Sequence, residues 1–195
     1  MVADEPLMVV EHSAARTRIL DAALELFARH GVSATSLQMI ADAIGVTKAA
    51  VYHQFPAKDQ IVLAVTAREL GRLVPALERA EALGAGPAAR DELLVVVIEM
   101  AVRDRRLVST LQFDPVVVKL LAEHEPFRGF MARLYGVLLA DSGEDARLEA
   151  AMLAGAISSA VMNPLAADID DDTLRARLTD LSRRLIGLPE KGRRR

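Results

Sequence analysis

The chain has 195 residues and a formal net charge of −3; 52% of its residues are hydrophobic, 4% are aromatic, and Cys and Trp are absent. That length suffices for one or two domains with a real core. The missing cysteines exclude disulfides and thiolate metal sites.

Leu, Ala, Val and Arg dominate, so helix is the default state. The slight negative charge argues against non-specific nucleic-acid binding. Within residues 11–60, five basic side chains (Arg16, Arg18, Arg29, Lys48, Lys58) balance five acidic ones (Glu11, Asp21, Glu25, Asp42, Asp59). Any DNA-binding reading therefore rests on motif and geometry, not on a basic footprint. No basic-then-apolar leader opens the chain, so a cytoplasmic protein is expected. The longest charge-free run, Ala150–Ala167, is rich in Ala, Gly and Ser and holds Asn163 and Pro164. A membrane span needs about 20 bulky apolar residues. A buried helix at a packed interface is expected instead, with no membrane partner.

Residues 1–12 mix acids and apolar residues without a period and are expected to be a flexible arm. Ser13 is an N-cap candidate for a helix over Arg16–His30, with Leu20, Ala23, Leu24 and Phe27 on one face. Gly31 stops that helix, with Val32 as the hydrophobic closure. Thr35 or Ser36 caps a second helix, whose buried stripe is Leu37, Ile40, Ala41 and Ile44. Gly45 makes a turn. Thr47 caps a third helix running to about Gln54, with Val51 and Phe55 pointing inward. Pro56 then opens a fourth helix expected to reach Leu83. Inside it Pro75 deletes one backbone bond and clashes with the carbonyl of Gly71, which predicts a kink or a weakened turn.

The outer surface of the third helix carries the chemistry. A recognition helix presents its first turns to base edges. Lys48 has the length to reach guanine O6 and N7, or a phosphate. Ala49 and Ala50 keep the surface low, so the backbone can approach and a methyl can touch thymine. Tyr52 and His53 are long donors suited to phosphates. Thr47 can cap the helix and donate at its positive end. Gln38 on the second helix can meet a base or a phosphate. Thr35, Ser36 and Lys58 stand at helix starts, where backbone N–H groups also favour phosphate. The bland alternatives are that Tyr52 closes the small core and that His53 is an inert surface residue.

Over roughly residues 13–60 the chain resembles the TetR family of transcriptional regulators. The carriers are Phe27-Ala28-Arg29-His30-Gly31, Thr35-Ser36, Ile40-Ala41, Gly45-Val46 and Val51-Tyr52-His53-Gln54-Phe55 with Lys58. The resemblance implies an all-α protein of about nine to ten helices. An N-terminal three-helix helix-turn-helix domain (13–60) would precede a larger ligand-binding and dimerisation domain (61–188), with flexible tails at 1–12 and 189–195. It implies operator contacts by Thr35, Ser36, Gln38, Thr47, Lys48, Ala49, Tyr52, His53 and Lys58. Two residues depart from the family pattern. Ala50 stands where a hydroxyl residue is frequent, and Ala57 where a Ser often caps the fourth helix.

Beyond the break at Gly84-Ala85-Gly86-Pro87, helices are expected near 88–104, 105–112, 115–123, 126–141, 145–166 and 171–187. Small residues at Ala151, Ala154, Gly155 and Ser158 allow close helix approach, and Leu174, Leu178, Leu181 and Leu185 repeat at helical spacing. These two helices are expected to form each subunit's half of a four-helix homodimer interface, an ordinary monomer core being the alternative. Two-fold pairing would set the reading helices about 34–36 Å apart. Met100, Leu111, Phe113, Val117, Leu121, Phe127, Phe130, Met131 and Tyr135 are the candidate walls of a pocket for a small apolar effector.

The expectation is a ligand-responsive repressor that binds a palindromic double-stranded operator as a homodimer and is released by that effector. The alternative is a constitutive DNA-binding or interaction module with a filled C-terminal core. An enzyme is not expected. His12, His30, His53 and His124 are scattered without metal-ligand spacing, and no glycine-rich phosphate loop or nucleophile elbow occurs. No metal or cofactor is expected.

Overall fold

The computed structural model describes residues 13–105, 108, 110, 113–140 and 143–189. Among these residues it is all helical. The expected tails at 1–12 and, apart from Pro189, 189–195 lie outside the described residues, as do Leu111 and most of the expected 105–112 helix. The chain divides into two compact units. One is residues 1–72 with 106–130, and the other is residues 73–105 with 131–195.

In the first unit, α1 spans Ala14–Ala34, α2 Leu37–Ile44, α3 Lys48–Gln54 and α4 Lys58–Leu70. A further helix, α7 (Pro115–Glu123), packs against α1 and α4. The shared core holds Leu20, Phe27, Ile40, Val51, Phe55 and Ile61 together with Val117 and Leu121.

Helix α1 does not simply stop at Gly31. The backbone breaks there, at φ 77° and ψ 161°, and one further helical turn follows to Ala34. Only glycine occupies that region at low cost. The fourth helix is shorter than expected. It starts at Lys58, two residues after Pro56, and gives way to a 3-10 turn over Gly71–Leu73. Pro75 lies in the first turn of the next helix, α5 (Val74–Ala82). The bond that Pro75 cannot donate thus falls at a helix start, where it would be unmade anyway.

In the second unit α5 packs on α6 (Pro87–Arg103), and α6 packs on α9 (Ala146–Met162) and α10 (Asp171–Leu185). Helix α8 covers Glu125–Leu138. Asn163 and Pro164 end α9 at Met162, four residues earlier than expected, and a 3-10 turn follows. Arg90 is 2% exposed at the centre of this unit. Its Nε donates to the Leu138 carbonyl at 3.0 Å and its Nη2 to the Ile186 carbonyl at 2.9 Å. One guanidinium thus satisfies carbonyls at the ends of two helices, which otherwise lack intrahelical donors. Arg183 of α10 pairs with Asp91 of α6 through both carboxylate oxygens. No helix among the described residues is long and apolar enough to cross a membrane.

His124 joins α7 to α8 in the first unit. Its Nδ1 accepts a hydrogen bond from the Phe127 backbone N–H at 3.3 Å. Only an unprotonated Nδ1 can accept. Burial lowers the imidazole pKa below its ordinary value. The unfolded chain therefore holds more proton near pH 6, and stability rises with pH there. The contribution is complete above the ordinary imidazole value of about 6.5 and is lost as pH falls from there through the lowered folded-state value. His124→Asn keeps a capping acceptor without titrating. The urea midpoint of the wild-type protein should drop more steeply than that of His124→Asn between about pH 7 and about pH 5.5. Parallel curves would remove His124 from the pH response.

Candidate nucleic-acid interface

Helices α2 and α3 are short, and local chemistry fixes their ends. Ser36 caps α2 by accepting from the Met39 N–H at 3.2 Å. Gly45 closes α2 in the left-handed region at φ 69° and ψ 37°. The Val46 N–H then returns to the Ala41 carbonyl at 3.0 Å, the six-to-one bond of a Schellman turn. Thr47 caps α3 by accepting from the Ala50 N–H at 3.2 Å. Ala57 provides no side-chain cap to α4, as its methyl group requires.

Seven residues are too few for a stable helix in isolation. Helix α3 is held by Val51 and Phe55, 0% and 1% exposed, each contributing about 1.5–3 kcal/mol by burial. Two arginines of α1 complete the hold. The Arg16 guanidinium lies 4.3 Å over the Phe55 ring. Arg18 Nη2 donates to the Ile44 carbonyl at the end of α2, at 2.8 Å.

With Val51 and Phe55 turned inward and Gln54 half-buried, the remaining residues of α3 face solvent. Thr47, Lys48, Ala49, Ala50, Tyr52 and His53 are all exposed. Tyr52 is 57% exposed, so it does not close the small core. Ser36 and Gln38 of α2 are exposed too. Gln38 Nε2 donates to Asp42 Oδ1 at 2.7 Å. A carboxylate only accepts, so this pair fixes the amide and leaves Oε1 and the second N–H for another partner.

Thr35 and Lys58 are placed otherwise than expected, and both are corrected from operator contacts to supports. Thr35 is 1% exposed, and its hydroxyl donates to the Gly31 carbonyl at 2.9 Å. Lys58 Nζ donates to the carbonyls of Val32, Ser33 and Thr35 at 2.5, 3.3 and 2.8 Å. An ammonium has three donors, and these carbonyls take all of them. The sequence signal for this was slight, because Lys58 lies 23 to 26 residues from its acceptors.

The expected effector walls scatter. Val117 and Leu121 are 0% and 3% exposed within the first unit's core, and Phe127 packs against that core. These three are corrected to core residues, because an apolar helical stripe serves core and cavity alike. Phe113 is 55% exposed and is corrected to a surface residue. Phe130 is buried, and Met100, Met131 and Tyr135 are half-buried. Leu111 lies outside the described residues. An open cleft of about 640 Å³ in the second unit lies instead among Pro87, Val95, Val96 and Leu188.

The expected dimer residues also divide. Ser158, Leu174 and Leu178 are buried within the single chain, where α9 and α10 pack on each other, so they are corrected to the subunit's own core. Ala154 and Leu185 are half-buried, whereas Ala151, Gly155 and Leu181 are exposed. Leu148, Met152, Met162 and Leu165, which sequence reasoning missed, are exposed at 62%, 50%, 39% and 89%. On α9, positions 148, 152, 155, 159 and 162 recur at helical spacing, and that stripe was readable in advance. No grouping of three or more His, Asp or Glu that could hold a metal ion occurs among the described residues.

Residues 19–65 match the family described as bacterial regulatory proteins, tetR family. The HTH-type transcriptional repressor KstR2 of Rhodococcus jostii is 44% identical over 50 residues, 26% of this chain and 24% of that protein. The HTH-type transcriptional repressor KstR of Mycolicibacterium smegmatis is 27% identical over 173 residues, 87% of this chain and 82% of that protein. The solved structure of the fatty acid degradation regulator FadR from Bacillus halodurans shares the fold, with a TM-score of 0.70 at 22% identity, covering 94% of this chain and 100% of that one. The chain spans 24% of the length of each of the first two curated relatives it matches.

The supporting role of Lys58 has a measurable consequence. Lys58→Met should lower stability by about 1 kcal/mol, because the part-buried Val32 and Thr35 carbonyls lose their donor. Urea unfolding measures this, and an unchanged midpoint would return Lys58 to the solvent-facing set.

Proposed function

We propose that this chain, whose N-terminal domain belongs to the tetR family of bacterial regulatory proteins, is a transcriptional repressor that reads operator DNA with α3. The observation that carries this reading is the α3 surface. It exposes a cation, two small methyl groups, and hydroxyl and imidazole donors on a helix clamped from behind. Lys48 is the candidate for base-edge contact, with Ala49 against thymine methyls. Tyr52, His53, Thr47 and Ser36 would bind phosphates and hold the helix in register. Gln38, its amide steered by Asp42, can offer one acceptor and one donor together, the pattern that pairs with adenine.

A palindromic operator requires a two-fold partner. The uncovered apolar residues of α9 and α10, Met152, Met162 and Leu181 with Ala151 and Gly155, support an isologous homodimer. Release by a small apolar effector completes the reading and rests on the half-buried Met100, Met131 and Tyr135. An effector acts only by binding one of two arrangements better than the other. The burial of Val117 and Leu121 favours a second reading, a constitutive DNA-binding module with a filled core.

Selection of bound sites from random duplex DNA, with and without cell-extract metabolites, tests both readings. A palindrome supports dimeric readout. Loss of binding with extract supports an effector, and binding indifferent to extract favours the constitutive module. On the selected duplex Lys48→Ala should weaken binding and relax preference at one position by about 1–3 kcal/mol. Unchanged affinity would remove Lys48 from the interface. Met152→Glu should place charge in the pairing face and convert a dimer to a monomer in analytical ultracentrifugation. A dimer that persists would move the interface elsewhere.

A further inference from the structure

We infer that Asp114, which is not on the DNA-reading surface, is a positioning residue for it. The inference rests on the proposed reading of DNA by α2 and α3, and it adds a component from a residue distant in sequence. Asp114 caps α7, with Oδ1 accepting from the backbone N–H groups of Val116 at 2.9 Å and Val117 at 3.4 Å. Its other oxygen, Oδ2, accepts from the backbone N–H of Val32 at 2.7 Å, across 82 residues of sequence.

The Val32 N–H is available because the chain breaks at Gly31. At φ 77° and ψ 161° the helical ladder is interrupted, in a backbone region that strains any residue with a side chain. The carbonyls that follow, of Val32, Ser33 and Thr35, go to Lys58, and the Thr35 hydroxyl returns to the Gly31 carbonyl. A carboxylate from α7 and an ammonium from α4 therefore pin one turn between them. Ser36, the cap of α2, is the next residue in the chain. The Schellman turn at Gly45 then passes that placement to α3 within a few residues. The hydrogen bonds described for Asp114 go to α7 and to Val32, not to α3, so it acts through the placement of α2 and α3.

Asp114→Asn separates the two jobs of this side chain. The amide oxygen can still cap α7, since Asn caps as well as Asp. The amide nitrogen then faces the Val32 N–H, a donor against a donor. Val117→Ala serves as the control, because it loosens the same core through a side chain and leaves every hydrogen-bonding group of Asp114, Lys58 and the turn in place. On the selected duplex Asp114→Asn should bind about ten-fold more weakly, the scale of one charge-assisted hydrogen bond. Val117→Ala should lower the melting temperature at least as much yet hold affinity within about two-fold.

Amide exchange supplies a readout that needs no DNA. Exchange at Val32 and through α2 and α3 should quicken in Asp114→Asn and stay slow in Val117→Ala. Unchanged exchange and affinity in Asp114→Asn would overturn the proposal. So would loss of affinity in strict proportion to melting temperature in both variants, which marks a merely structural role. If wild-type protein bound no duplex, the DNA reading would fall, and exchange alone would decide whether Asp114 places these helices.

Discussion

The turn from Gly31 to Thr35 contains more backbone polar groups than its own segment can satisfy. A helix that ends in the open leaves such groups to water. Here they are partly enclosed, and three side chains take them up. Asp114 accepts one N–H, Lys58 donates to three carbonyls, and Thr35 closes the loop on Gly31. A buried polar group without such a partner costs about 1–3 kcal/mol. The turn is therefore tied from two sides, and Ser36, the cap of α2, is the next residue in the chain.

The next helix but one, α3, is slight and is held by several contacts at once. Helix α3 has seven residues and one buried side chain of its own, Val51. Its caps and the Schellman turn set its start, and Phe55 under Arg16 sets its end. The outward face is thus free of structural duty. It can be chosen for contact alone: low at Ala49 and Ala50, long and polar at Lys48, Tyr52 and His53. Thr35 and Lys58 are spent on support, Lys48, Tyr52 and His53 stand free of it, and Ser36 and Thr47 cap their helices while staying exposed.

What was legible in the sequence follows the range of the interactions. Caps at Ser36 and Thr47, the glycine turn at Gly45 and the inward pair Val51 and Phe55 all depend on neighbours within a few residues, and each stands where the pattern put it. The disturbance near Pro75 was legible for the same reason, because one ring and one missing N–H decide it. The roles of Lys58 and Asp114 were not legible, since their partners are 23 to 82 residues away. Val117 and Leu121 misled because an apolar stripe has the same spacing beside a cavity as inside a core. Leu174 and Leu178 misled in the same way, facing the subunit's own α6 and α9 layer instead of a second copy.

On the proposed reading, the surface between Ser36 and His53 meets DNA while the pinned turn beside it stays intact. Hydrogen exchange read by mass spectrometry, on the full chain with and without a selected duplex, tests it most directly. Exchange should slow in peptides spanning Ser36–His53 when duplex is added, with Val32 already slow in the free protein. Protection confined to α9 and α10, or a Val32 amide that exchanges freely in the absence of DNA, would contradict it.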